Sequence, residues 1–148
     1  MKVNEFMTKD VISCHENNTV EEAAKIMVKE GFSVIPVIDD DRNLVGILTE
    51  SDFVGTKANI PHALVTIKQL FGQVFNLSDI ESIYHNAKRK SLSEVMTKRP
   101  VTVASNSSLT SLIDTMITKN LKRIPIVSKN ELVGIVTRKD LLKAFVKS

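Results

Sequence analysis

The stretch LVGIVTRKD at residues 132–140 repeats a pattern that the chain has already used at residues 44–52, as LVGILTESD. Both copies place apolar residues around a glycine and end in Thr-x-x-Asp. Two more pairs of segments match upstream in the same order, namely IPVI at 35–38 with IPIV at 124–127, and MTK at 7–9 with MTK at 96–98. The offset is 89 residues up to Ile38 and 88 after it, because the first copy has one extra aspartate. An internal repeat in register over this length predicts a duplicated fold.

The composition is that of a globular protein, with 43% hydrophobic and 25% charged residues among 148. A repeat of about 50 residues is marginal alone, so we expect the two copies to share a core. The net charge of +3 is too small to indicate nucleic-acid binding, and the basic run 88–90 is interpreted as a solvated helix end. The single cysteine, Cys14, excludes an internal disulfide and is expected to be buried. Because no apolar run resembles a signal peptide or a membrane span, we expect a cytoplasmic protein without a membrane partner.

Each copy is predicted to fold as strand, helix, strand, strand, helix. In the first copy, strands are predicted at 11–14, 33–38 and 44–48, with a helix that begins at a Thr19–Glu22 capping box and ends at Gly31. In the second copy, strands are predicted at 101–103, 124–127 and 132–136, and helices after Ser108 and over 138–146. Because proline has no N–H to donate, Pro36 predicts that its strand lies at a sheet edge or is irregular.

The predicted fold class is therefore mixed α/β (α+β), with two repeats at 1–56 and 92–148 and a helical insert at 57–91. Pro61 suits a first helical position, and an apolar stripe follows it at Leu64, Ile67, Leu70, Phe71 and Val74. Two interpretations of the insert stay open. It packs on the chain's own core or on a second subunit, or it docks a partner protein.

The Thr-x-x-Asp pairs, Thr49 with Asp52 and Thr137 with Asp140, have a structural and a functional interpretation. The structural one is a helix capping box. The functional one starts from the anion-binding character of a helix N-terminus and from the ability of a carboxylate to accept two hydrogen bonds from a ribose diol. Lys122 and Arg123 add two cations just before the second Ile-Pro strand, where the first copy has Ser33 and Val34. These residues permit a nucleotide site without proving one.

In these motifs the chain resembles two tandem CBS (cystathionine beta-synthase) domains, the unit called a Bateman module. The resemblance covers about two thirds of the chain, since the insert falls outside it. It implies two β-α-β-β-α units packed with pseudo-two-fold symmetry, leaving two clefts, and a module that pairs into a flat homodimer. It also implies that the clefts bind adenosine-containing ligands such as AMP, ADP, ATP or S-adenosylmethionine.

By the same resemblance, Asp52 and Asp140 hold ribose hydroxyls, while Thr49 and Thr137 approach phosphate. Each implied cleft mixes both repeats, and its apolar members enclose adenine. The first cleft combines Thr49 and Asp52 with Val101, Thr102, Lys122, Arg123, Ile124 and Pro125. The second combines Thr137 and Asp140 with Ile12, Ser13, Ser33, Val34, Ile35 and Pro36. Because Lys122 and Arg123 have no charged equivalents, the Asp52 cleft is predicted to prefer the phosphorylated ligand.

We therefore expect a stand-alone regulatory protein that binds an adenine nucleotide and signals to a protein target by conformational change. Catalysis is not expected, because His15, His62 and His85 are scattered and no phosphate loop or metal-ligand spacing appears. No cofactor or metal is expected beyond the regulatory nucleotide. The alternative is an adaptor or oligomerisation module with empty clefts that acts through the insert.

Overall fold

The computed structural model describes residues 1–53 and 85–147, so residues 57–84 of the predicted insert, with its helix after Pro61, lie outside the described residues. The first repeat contains a 3₁₀ turn at Val3–Glu5, then β1 Cys14–His15, α1 Val20–Glu30, β2 Val34–Ile38, β3 Leu44–Thr49 and α2 Glu50–Phe53. The second contains α3 Leu92–Val95, β4 Thr97–Lys98, β5 Val103–Ala104, α4 Leu109–Thr118, β6 Arg123–Ser128, β7 Glu131–Thr137 and α5 Arg138–Lys147. Residues 85–89 are also helical. The mixed α/β class and the predicted order of elements are confirmed in both repeats.

Side-chain caps begin the long helices where the sequence predicts them. The Thr19 side chain accepts a hydrogen bond from the Glu22 N–H at 3.2 Å, which satisfies one of the free N–H groups of α1. The Ser108 side chain does the same for α4 through the Ser111 N–H at 3.1 Å. Helix α1 ends at Gly31, whose φ of +68° is a left-handed conformation that glycine adopts without steric cost.

The strands form two sheets, with orders β1-β2-β3-β4 and β5-β6-β7. Pro36 predicts an edge strand or an irregular one, and the edge alternative is wrong, because β2 lies between β1 and β3. The equivalent strand β6 suggests how proline is tolerated. Its parallel neighbour β5 pairs only with Ile126 and Val127, so Pro125 precedes the paired stretch. Because β5 is only two residues long, no residue of β5 pairs with Pro125, and the missing N–H of the proline costs no hydrogen bond to β5. Strands β1 and β5 also start later than predicted, at Cys14 and Val103.

The chain divides into two compact units whose members are not the two repeats. Unit 1 comprises 1–13, 38–45 and 99–148, and unit 2 comprises 14–37 and 46–98. Each unit therefore takes its sheet and long helix mostly from one repeat and a short lead-in segment from the other. We call residues 1–13 the first lead-in and residues 90–98 the second lead-in.

The core of unit 1 contains the first lead-in as a full member. Val3 and Phe6 are buried there in one cluster with α4, β6 and β7, through residues that include Leu112, Ile124 and Val136. Backbone hydrogen bonds fix the lead-in at both ends, from the Val3 N–H to the Ser107 carbonyl oxygen at 2.9 Å and from the Thr8 N–H to the Ile135 carbonyl oxygen at 2.9 Å.

Unit 2 holds the second lead-in in the same way. Leu92 and Val95 are almost fully buried. The Leu92 N–H donates to the Asn18 carbonyl oxygen at 2.9 Å, and the Val20 N–H donates to the Lys90 carbonyl oxygen at 2.9 Å. The other buried apolar residues of this unit come mainly from α1, β2 and β3 and include Ala23, Met27, Ile35, Val37 and Leu48.

Candidate functional site

The junction of β7 with α5 carries the second Thr-x-x-Asp pair as a reciprocal cap. The Thr137 N–H and hydroxyl both donate to Asp140 Oδ2, at 2.9 and 3.2 Å. The Asp140 N–H donates back to Thr137 Oγ1 at 3.3 Å. This arrangement is a capping box, which satisfies two of the N–H groups at the start of the helix.

The junction of β3 with α2 repeats this geometry in unit 2. The Thr49 N–H and hydroxyl donate to Asp52 Oδ2 at 2.9 and 3.2 Å, and the Asp52 N–H donates to Thr49 Oγ1 at 3.3 Å. The structural interpretation of both motifs is thus confirmed. Capping does not exclude ligand binding, because in each pair the cap itself uses only Oδ2 of the carboxylate.

The second carboxylate oxygen is contacted by a threonine that the sequence interpretation missed. The Thr8 hydroxyl donates to Asp140 Oδ1 at 3.0 Å, within unit 1. The Thr97 hydroxyl lies 3.1 Å from Asp52 Oδ1 and 3.3 Å from Asp52 Oδ2, within unit 2, and donates to this carboxylate. The sequence does contain a signal for these residues, because the MTK segments repeat at the same spacing as the rest of the motif. Nothing in that spacing says which aspartate each threonine reaches.

The glycine in each motif makes room for the methionine before that threonine. A Cβ at Gly134 would lie 2.5 Å from Met7 Sδ, and a Cβ at Gly46 would lie 2.6 Å from Met96 Sδ. These distances are far below an ordinary carbon–sulfur contact, so both positions need a residue without a side chain. The Met-Thr step of each lead-in therefore lies across a Gly-containing strand with its threonine at the capped aspartate.

The two aspartates differ in burial and in charged neighbours. Asp140 is only 3% exposed, and Lys143 Nζ lies 3.9 Å from its Oδ1. Arg123 faces Thr137 in the β6–β7 register. Burial lowers the pKa of the Arg123 guanidinium, and the negative charge of Asp140 partly opposes this by favouring the charged form. Asp52 is partly exposed, and the position equivalent to Arg123 in the first repeat is the uncharged Val34. The two sites are therefore chemically unequal.

The remaining predicted residues fall into three groups by exposure. Ile12, Val101, Thr102 and Lys122 are exposed; Ser13, Ser33, Val34 and Arg123 are partly buried; Ile35, Pro36, Ile124 and Pro125 are buried. Unit 1 contains Thr137 and Asp140 together with Ile12, Ser13, Val101, Thr102 and residues 122–125, and unit 2 contains Thr49 and Asp52 together with residues 33–36. Within unit 2, the Glu50 N–H donates to the Ser33 carbonyl oxygen at 3.0 Å, which joins the start of β2 to the start of α2. Each predicted cleft draws members from both units, and these groupings stay predictions.

Over the described ranges 1–53 and 85–147, no three His, Cys, Asp or Glu side chains are grouped as a metal site would require. In the same ranges, no helix is both long and apolar enough to span a bilayer.

Comparison with known proteins adds three findings. The family model of the CBS domain matches residues 3–58 and 92–147. The uncharacterized protein YlbB of Bacillus subtilis is 30% identical over 95% of this chain and 79% of its own length. Two solved structures are also similar to this chain.

The first is the CBS domain of a CBS domain containing membrane protein from Sphaerobacter thermophilus. It has 33% sequence identity and a TM-score of 0.71, and the match covers 97% of this chain and 86% of that one. The CBS domain pair of protein MJ0100, in complex with 5-methylthioadenosine and S-adenosyl-L-methionine, has 27% identity and a TM-score of 0.66, over 98% and 99%.

Proposed function

Because the chain belongs to the CBS domain family and carries two copies of the domain, we propose that it is a regulatory protein which binds an adenosine-containing ligand. Ligand binding changes the conformation of the pair, and a protein partner responds to that change. A ligand can shift such an equilibrium only through different affinities for the two states. The similar pair in MJ0100 was solved with two adenosine-containing compounds, which supports this ligand class.

The observation that carries the proposal is the repeated carboxylate held between two threonines. In both units an aspartate is fixed by hydrogen bonds at a strand–helix junction, with Oδ2 taken by the cap and Oδ1 contacted by one hydroxyl. An ionised carboxylate has about four acceptor positions, so Oδ1 retains capacity for a ribose hydroxyl. A pre-oriented acceptor of this kind lowers the cost of ordering on binding.

We further propose that Asp52 is the more accessible of the two acceptors. Asp52 is partly exposed, whereas Asp140 is nearly inaccessible and also has Lys143 near its Oδ1. Between the two cations that precede the second Ile-Pro strand, we assign the ligand phosphate to Lys122, because Lys122 is exposed and Arg123 already interacts with Asp140. Ile12 and Val101 are the apolar side chains open to an adenine ring, while Ile35 and Ile124 lie in the cores and offer only backbone atoms.

The test is a thermal-shift and calorimetric titration with AMP, ATP and S-adenosylmethionine, with GMP as the base-specificity control. A ligand at one hundred times its dissociation constant adds about 2.7 kcal/mol to the free energy of unfolding. At roughly 2–4 °C per kcal/mol, this raises the melting temperature by roughly 5–10 °C.

Two aspartate variants and one matched control locate the site. Asp52→Asn and Asp140→Asn keep the side-chain shape but remove the charge and one acceptor oxygen. Ser108→Ala removes a helix cap of similar worth, about 1 kcal/mol, at a position outside the proposed site. We expect Asp52→Asn to reduce the adenosine-ligand shift more than Asp140→Asn, and Ser108→Ala to leave it unchanged. If no adenosine compound raises the melting temperature of the wild type, the proposed ligand class is wrong, and the alternative of an adaptor that acts through the insert is favoured.

We also propose that the regulatory unit is a homodimer. Helices α4 and α5 leave large apolar side chains largely exposed, namely Ile117, Leu142, Phe145 and Val146. Apolar surface of this kind is typical of a contact with another molecule. We expect light scattering after size exclusion to give twice the chain mass of 16.5 kDa, and Val146→Asp to shift the mass toward that of one chain. The exposed polar substitution Thr110→Asp on α4 is the control, and a wild type that is monomeric at every concentration contradicts the proposal.

A further inference from the structure

The two lead-ins carry the threonines that contact the site aspartates, and backbone hydrogen bonds and buried side chains hold each lead-in in its unit. Thr8 exchanges two backbone hydrogen bonds with Ile135, each at 2.9 Å, and Val3 and Phe6 anchor the same segment in the core of unit 1. The Thr8 side chain itself is exposed. Its position is therefore set by the backbone around it, not by packing of its own side chain.

Thr97 is held equally firmly in unit 2. It pairs with Ile47 in the antiparallel β3–β4 register, and the preceding Met96 is buried. Both threonines thus present a hydroxyl group from a fixed backbone.

The geometry of each carboxylate explains what the hydroxyl adds. The cap contacts only Oδ2, and a carboxylate held at one oxygen can still turn about its Cβ–Cγ bond, because that torsion is broad. Each threonine adds a contact at the oxygen that the cap leaves free. Thr8 Oγ1 lies 3.0 Å from Asp140 Oδ1, and Thr97 Oγ1 lies 3.1 Å from Asp52 Oδ1 and 3.3 Å from its Oδ2. The contact at Oδ1 fixes the plane of the carboxylate. A diol that contacts both oxygens needs this plane to be defined in advance.

We propose that Thr8 and Thr97 are positioning residues that act crosswise: Thr8, in the first repeat, orients Asp140 of the second, and Thr97, in the second repeat, orients Asp52 of the first. The inference rests on the proposed function, because it assigns these threonines to the same ligand-binding carboxylates. A substitution in one lead-in is thus expected to affect the site that lies in the other repeat's sequence.

The experiment compares Thr8→Val with Thr8→Ser, and Thr97→Val with Thr97→Ser, in the full chain. Valine keeps the volume of threonine and loses the hydroxyl, whereas serine keeps the hydroxyl. The first readout needs no ligand and is amide hydrogen exchange of the Thr137 and Thr49 N–H groups, each of which donates to the aspartate in question.

We expect Thr8→Val to speed exchange at Thr137 by about 3- to 10-fold relative to Thr49, the factor that corresponds to one ordinary hydrogen bond. We expect Thr97→Val to speed exchange at Thr49 relative to Thr137, and both serine variants to keep exchange rates close to those of the wild type. Equal acceleration at both amides, no acceleration, or no difference between valine and serine would overturn the positioning role.

The second readout is the dissociation constant for AMP, ATP or S-adenosylmethionine, whichever binds the wild type. We expect Thr97→Val to weaken binding at the Asp52 site by about 3- to 10-fold and Thr97→Ser to restore it. An unchanged or tighter constant in Thr97→Val overturns the link to binding, even if stability falls. If the wild type binds none of these compounds, the proposed function fails, and the exchange measurements still decide whether the threonines hold the carboxylates.

Discussion

Replacing Gly46 with alanine tests the close contact between the second lead-in and its strand. The new Cβ would lie 2.6 Å from Met96 Sδ, 2.9 Å from Met96 Cγ and 2.9 Å from the Thr97 carbonyl oxygen. Carbon atoms make their best contacts at roughly 3.5–4.0 Å, so all three distances are repulsive. Met96 is buried and the Thr97 backbone is paired with β3, so neither can withdraw freely.

The expected cost follows from two opposing contributions. Overpacking of this kind costs about 1–3 kcal/mol, and Gly→Ala recovers about 0.4–1 kcal/mol by restricting the unfolded chain. We therefore expect Gly46→Ala to lower the free energy of unfolding by about 1–2 kcal/mol. Gly134→Ala should cost less, because the nearest backbone atom, the Thr8 carbonyl oxygen, lies at 3.1 Å and Met7 is only partly buried.

Urea denaturation followed by circular dichroism gives the free energies. Gly31→Ala is the control for backbone strain without a clash, because its φ is +68° and no atom lies within 4 Å of the added Cβ. Gly31→Asn should recover part of that loss, since asparagine tolerates the left-handed region. The steric explanation also requires that Met96→Ala and Gly46→Ala be non-additive, with a coupling of about 0.5–3 kcal/mol. A neutral Gly46→Ala, or a Gly134→Ala that costs more, refutes the reasoning.

Two further predictions concern buried polar groups. Asp140→Ala should destabilise the protein more than Asp52→Ala, by about 1 kcal/mol or more, because Asp140 is only 3% exposed and water replaces its carboxylate less readily as the acceptor for the Thr137 N–H and hydroxyl. Urea denaturation of the two variants checks the order, and equal losses contradict it. Burial raises the pKa of the Cys14 thiol from 9.0 to about 11, and the charge of Glu22 adds to the shift. The folded chain therefore binds more protons than the unfolded one between these values, so stability should fall as the pH rises from 9 toward 11 and stay unaffected by this group at lower pH. At pH 8 the thiol should react with a disulfide reagent only as fast as the protein opens, and rapid labelling of the native protein would contradict this.

Local chemistry made much of the fold predictable. The caps at Thr19 and Ser108 and the left-handed Gly31 depend on residues within a few positions, and each is confirmed. The edge position predicted from Pro36 is wrong, because the number of neighbours of a strand is set by other segments of the chain. A proline constrains its own nitrogen, but the two-residue span of β5 beside β6 is a property of another segment.

The candidate site was predictable only where its contacts are local. Thr137 and Asp140 are three residues apart, and a motif reveals them. Thr8 reaches Asp140 across 132 positions and Thr97 reaches Asp52 across 45, so no periodicity indicates either bond. The inequality of the two aspartates is likewise tertiary in origin, since identical motifs acquire different burial and different charged neighbours.

The exchange of lead-ins gives a physical reason why the two repeats occur as a pair. Val3 is fully buried in a core built mainly by the second repeat, and Leu92 is fully buried in a unit built mainly by the first. Burying such a side chain contributes about 1.5–3 kcal/mol, a large fraction of the stability of a small domain. A single repeat without the other's lead-in would lose this apolar burial, its strand-crossing methionine and the threonine at its aspartate together. Folding of each unit and orientation of its site carboxylate therefore depend on the same short segment of the opposite repeat.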